Sequence, residues 1–216
     1  CGSNLAAEYI KNTGCIVGLE EKVNHSAVAE RKARHGAQSF PDLFIRQAEA
    51  VLQRWRWYGI KVSPRQLSSL LKWRILDIFS GVKLIHCHRR DVLAQAVSMS
   101  SALQNKRWNY RMKSQCSEVR FDLDTITHQT ARIGVVNTAA RLVAEVLGEP
   151  LHPIAYEDVV ADPQSVVVKM LRDLGLSAEG VSVGRPILRT QADETNARFI
   201  EAYKDAVAQA IRAGPP

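Results

Sequence analysis

VKLIHCHRRDVLAQAVS, residues 82–98, decides how the rest of the chain is read. Residues 82–88 form a short apolar run and read as a buried strand. The run ends in Arg89 and Arg90, and Asp91 then caps a helix that carries Val92, Leu93 and Val97. A strand leading into a helix through a short polar turn is half of a parallel α/β unit. Arg90 then stands at the C-terminal edge of the sheet, where open α/β folds bind ligands. Ser98 follows about two helical turns in. A guanidinium and a hydroxyl so placed can grip one phosphate, because the arginine fork matches phosphate oxygens. Taken alone, the same residues also fit a solvated basic corner followed by a helix-face serine.

The pattern repeats outward. WYGIKV (57–62) and PLHPIAY (150–156) are further short strands. Helical patterns separate them: residues 40–55, 63–79, 91–104, 127–148, 162–175 and 191–211. Ser63 and Pro64 form a helix start, and Gly148 and Gly175 form helix stops. Strands alternating with helices predict an α/β fold with a parallel sheet. Residues 105–122 are polar, basic and aromatic and read as an excursion over the sheet. Trp55, Trp57 and Trp73 lie on apolar faces and are expected in the core.

The chain has 216 residues, 46% of them apolar, enough for one sizeable α/β domain. Its net charge of +7 favours an anionic partner, though a basic surface alone would give the same figure. Cys1, Cys15, Cys87 and Cys116 match no metal-binding spacing. Cys87 reads as a buried thiol, and the cysteine usage fits a reducing cytosol. No apolar run reaches the length of a membrane span.

The chain opens on CGSNLAAEYI, residues 1–10. Leu5, Ala6 and Tyr9 share one face of a helix, and Gly2, Ser3 and Asn4 stand at its start. A glycine and a hydroxyl opening a helix suit an anion, through free N–H groups and the helix dipole. An ordinary serine cap reads the same way. A buried strand normally precedes such a loop, so a strand upstream of Cys1 is expected, with the N-terminus truncated.

RRDVLAQAVS resembles the 3′-phosphate-binding segment of sulfotransferases that use 3′-phosphoadenosine 5′-phosphosulfate (PAPS), closest to bacterial carbohydrate sulfotransferases of the trehalose sulfotransferase type. WYGIKV, SALQNKRW (101–108), VRFDLDTI (119–126), IAYEDVVADP (154–163) and LRTQADETN (188–196) resemble further blocks of that family, in order. The resemblance implies a single domain over residues 1–216, with a P-loop-like three-layer fold and a central, mostly parallel sheet flanked by helices. It places Gly2, Ser3 and Asn4 at the 5′-phosphosulfate, with Asn4 where the family has threonine. It places Arg90 and Ser98 at the 3′-phosphate, with Arg89 as alternate, and brings Arg189, near Gln191 and Asp193, over the nucleotide. The family's catalytic glutamate falls in VGLEEKVNH (17–25), where Glu21 is the best match and Glu20 the next; the family's proline and aromatics are absent there. His25 is a fallback base, and Trp108 is an aromatic available to stack on adenine or a sugar. Tyr156, Glu157 and Asp158 read as organisers of a helix start.

The activity so implied is transfer of a sulfuryl group from PAPS to a hydroxyl of a carbohydrate or glycolipid, by in-line displacement with a carboxylate base and no metal. It implies a cytoplasmic bacterial enzyme without nucleic-acid partners, able to meet lipid-linked sugars and to form a homodimer. Two other readings stay open: a basic binding protein on the same fold without catalysis, and a nucleotide-dependent kinase. The kinase lacks a G-x-x-x-x-G-K-[ST] string.

Overall fold

A computed structural model describes residues 2–23, 25–107, 118–184 and 194–213, and for residues 25–27 the backbone alone. In chain order the elements are α1 (Ser3–Asn12), β1 (Val17–Glu20), α2 (His25–His35), α3 (Phe40–Leu52), β2 (Tyr58–Ile60), α4 (Pro64–Lys72), a 3-10 turn (Ile75–Ile78) and β3 (Leu84–His88). They continue with α5 (Val92–Asn105), α6 (Leu123–Leu147), β4 (Leu151–Ala155), α7 (Tyr156–Ala161), α8 (Pro163–Asp173) and α9 (Glu194–Ala213). The described residues form two compact units. One draws on residues 2–88 and 138–186, the other on 89–137 and 187–216.

The first unit holds two parallel strand pairs, β1 with β2 and β3 with β4. In the second pair Leu84 faces Leu151 and the register runs unbroken to His88 opposite Ala155. Parallel partners point to the same side of a sheet. Ile85, Cys87 and Ile154 accordingly share one core with Ala6, Tyr9 and Ile10 of α1 and Val167, Met170 and Leu171 of α8. A separate cluster joins Phe44 and Ala48 of α3 to Leu70 of α4 and Ile75, with Tyr58 and Ile60 of β2 packed against it. These are short parallel sheets flanked by helices, the mixed architecture that the alternating pattern predicts.

The β1–β2 pair carries a bulge. Val17 faces Tyr58 and Gly18 faces Gly59, and then Glu20, not Leu19, faces Ile60. Gly18 and Leu19 both have positive φ, 89° and 58°. A side chain at Gly18 would run into the Gly59 carbonyl, so glycine is required where the two backbones meet. Bulges of this kind re-aim the residues that follow them, here Glu20 and Glu21.

The second unit packs α5 against α9. Ala96 and Val97 of α5, Ile126 and Ile133 of α6 and Phe199 of α9 form its core. Phe121 meets Phe199 edge-on, with ring centroids 5.8 Å apart. The chain returns to α5 through Gln104, whose amide donates to the Arg120 carbonyl at 2.9 Å and accepts from the Arg120 N–H at 2.9 Å. That side chain imitates one rung of a sheet and pins the end of the excursion.

Several expectations need correction. β1 and α2 are elements where none is predicted, and Tyr156, Glu157 and Asp158 begin a short helix of their own, α7, ahead of α8. The helix expected at 127–148 begins four residues earlier at Leu123, because Asp122 accepts from the Thr125 N–H at 2.8 Å and from its hydroxyl at 2.7 Å. The helix expected over 63–79 ends at Lys72, and a 3-10 turn follows Arg74, which adopts a left-handed conformation. Trp55 and Trp73 are not core residues: they are 45% and 49% exposed. Trp73 instead lies 5.2 Å from the Phe40 ring at the edge of its cluster, and only Trp57 packs against a core. Among the described residues no helix is long and apolar enough to cross a membrane.

Candidate functional site

The start of α1 differs from the starts of α3, α4, α5 and α8. Those helices are capped by Ser39, Ser63, Asp91 and Asp162, whose side chains accept backbone N–H groups of the first turn. Gly2 occupies the cap position of α1 and has no side chain to offer. Its φ is 75°, and the Tyr156 ring lies where a β-carbon would be. Ser3 is therefore the first helical residue and not the cap. Gly2 lets the backbone turn under Tyr156, and no side chain at the cap position accepts the first-turn N–H groups.

Lys61 is the side chain that converges on this place. It follows β2, and its backbone N–H donates to the Glu20 carbonyl at 3.0 Å. Its ammonium donates to the Asn4 side-chain oxygen and lies 3.2 Å from Oε1 of Glu21. The Lys61 side chain is 18% exposed, against 53% for Glu21. One half-buried cation thus joins the first turn of α1 to the carboxylate after β1. The sequence carries a signal for it: a lysine closing an apolar strand at the edge where α/β sheets bind ligands.

The two adjacent glutamates are placed differently. Glu20 lies 2.6 Å from Lys22 and 3.5 Å from Lys11. The Lys22 hydrogen bond, outweighing partial burial, holds its carboxyl below the usual carboxylate range. Glu21 is the one beside Lys61 and Asn4. Cys87, partly buried and packed against the same unit's core, has its thiol pushed up to about 11 by burial.

In the second unit, Arg90 is exposed and Arg89 half-buried ahead of α5. Asp91 caps α5, accepting from the Ala94 N–H at 2.8 Å. Ser98 lines a small polar cleft of about 70 Å³ with Ser101, Asn105, Arg107, Thr195 and Asn196. The Ser101 hydroxyl donates to the Asn196 side-chain oxygen at 3.4 Å, joining α5 to the start of α9. Arg107 and Asn196 are additions to the expected set. Arg189, Gln191, Asp193, Trp108, Cys1, Cys116 and the side chain of His25 lie outside the described residues. No group of three or more His, Cys, Asp or Glu among the described residues is placed to hold a metal ion.

A family model described as Stf0 sulphotransferase matches residues 62–206, well over half of the chain, and the chain belongs to that family. No curated protein matches it. The matched residues include Arg89, Arg90, Ser98 and Arg189. Gly2 to Asn4, Glu20, Glu21 and Lys61 lie before them.

Proposed function

We propose that this sulfotransferase draws its sulfuryl group from PAPS and delivers it to a hydroxyl of a carbohydrate or glycolipid. In this reading residues 1–216 form one sulfotransferase-like domain of P-loop-like, three-layer architecture. Family membership supports the transfer chemistry. The observation that carries the site assignment is the glycine-started α1, with Lys61 and Glu21 converging on its first turn. Its open N–H groups, the close approach that Gly2 permits and a nearby ammonium suit a doubly charged phosphosulfate.

Gly2, Ser3 and Asn4 hold the 5′-phosphosulfate. Arg90 and Ser98, with Arg89 as alternate, hold the 3′-phosphate, and Arg189 belongs to the same nucleotide site. Glu21 accepts the proton of the acceptor hydroxyl as that oxygen bonds to sulfur and the bond from sulfur to the bridging phosphate oxygen breaks. Negative charge then collects on the departing phosphate, where the N–H groups of α1 and the Lys61 ammonium stabilise it. Glu20, engaged by two lysines, is the lesser choice of base.

The test is a transfer assay with PAPS and a panel of hydroxyl acceptors: trehalose, other oligosaccharides and glycolipids. The expected result is release of 3′,5′-ADP that depends on one sugar class and falls with Glu21→Gln. Sulfation of aryl hydroxyls with no response to sugars would overturn the acceptor assignment.

A further inference from the structure

Lys61 makes two contacts of different kinds. Asn4 belongs to the proposed anion loop and Glu21 is the proposed base, and the inference rests on that reading. We infer that Lys61 links donor binding to the base: the ammonium that bridges Asn4 and Glu21 in the free protein is taken by an anion at the start of α1, which removes its hold on the Glu21 carboxylate.

The residue type suits the task. An ammonium is a compact charge with three donors on a flexible stem, so it can be shared among acceptors and can change its share with little movement. Its backbone stays pinned by the bond to Glu20, so only the stem moves. Both existing partners are weaker claimants than a phosphosulfate. Asn4 offers a neutral amide oxygen, and Glu21 is a half-exposed carboxylate whose attraction is screened by solvent. Glu20 does not compete for the role, because Lys22 and Lys11 already face it.

The arrangement has a consequence that simple electrostatic repulsion lacks. Removing the Glu21 charge strengthens anion binding in either case. Only in the proposed linkage does that gain require Lys61.

The experiment is a double-mutant cycle in calorimetry, with 3′,5′-ADP as probe and AMP as control. It uses the full chain, Glu21→Gln, Lys61→Met and the double variant, with Lys61→Arg alongside. Glu21→Gln is expected to tighten 3′,5′-ADP about two- to fivefold, the range of an exposed ion pair. Lys61→Met is expected to weaken it about tenfold or more, and Lys61→Arg to recover part of the loss. In the Lys61→Met background Glu21→Gln is expected to change nothing. An equal gain from Glu21→Gln with and without Lys61 overturns the linkage, and so does no gain in the Lys61 protein. The second result needs only the exposed-site variant, so a Lys61→Met protein that fails to fold leaves the test in force. A wild type without preference for 3′,5′-ADP over AMP overturns the donor reading itself, and the linkage with it.

Discussion

Two helix starts in this protein present the same backbone groups and use them differently. The start of α5 is closed by Asp91, which accepts the Ala94 N–H. The start of α1 has only Gly2 at its cap, under the Tyr156 ring, with Lys61 and Glu21 nearby. A capped helix start has less to offer an anion, so the binding proposed near α5 rests on the side chains of Arg89, Arg90 and Ser98. At α1 no cap side chain takes up the backbone N–H groups. In the proposed reading the two starts would grip an anion differently, one through backbone and one through side chains, each with its own signature under mutation.

That comparison can be broken in several ways. The largest effect is expected from Glu21→Gln, which removes a base and should lower turnover by about 10²–10⁴ while folding is unchanged. A comparable loss from Glu20→Gln in a transfer assay would exchange their roles. Gly2→Ala comes next. It forces a β-carbon into the Tyr156 ring at a φ that disfavours alanine, costing about 2–4 kcal/mol between strain and overlap. Calorimetry should show weaker binding of 3′,5′-ADP and of AMP alike, because the 5′ end is common to both. Arg90→Ala should weaken 3′,5′-ADP by about 10–100-fold and leave AMP unchanged, the mark of a side-chain grip on the 3′-phosphate.

Smaller effects sharpen the contrast with ordinary capping. Ser63 and Gln66 form a reciprocal capping box at α4, two residues beyond Lys61, that serves the helix's own N–H groups. Ser63→Ala should cost about 1 kcal/mol in denaturant unfolding and nothing in nucleotide affinity. The smallest effect concerns Glu20. Its lowered pKa means that the Lys22 pairing stabilises the fold above the ordinary carboxylate range and fades as pH falls through the lowered value. Because the pair is half-exposed, Lys22→Met should remove only a few tenths of a kcal/mol at neutral pH, a loss that disappears in acid. Paired unfolding curves at pH 7 and pH 3 check it.

Local signals were legible where they act locally. Asp91 as a cap, Ser63 with Pro64, and the stops at Gly148 and Gly175 depend on neighbours within one turn. β3 and β4 are legible as apolar runs bounded by charge or turns, each read two residues longer than the strand that forms. β1 is not: it has four residues, one a glycine and one a glutamate, and a bulge breaks its alternation. Trp73 deceives because a helical face continues past Lys72 in the sequence, while Arg74 turns the chain before that face is buried. At the site, Gly2, Ser3 and Asn4 are recognisable from a loop pattern. Lys61 is only partly so: its place at the end of a strand is readable, but its partner Asn4 lies 57 residues away in the chain. The choice between Glu20 and Glu21 likewise depends on which lysines fold beside each.

The most direct measurement is calorimetric binding of 3′,5′-ADP and AMP to the wild type and to Arg90→Ala. The account predicts strong preference for 3′,5′-ADP in the wild type and loss of that preference, with AMP binding kept, in the variant. Equal affinity for the two nucleotides in the wild type would contradict it.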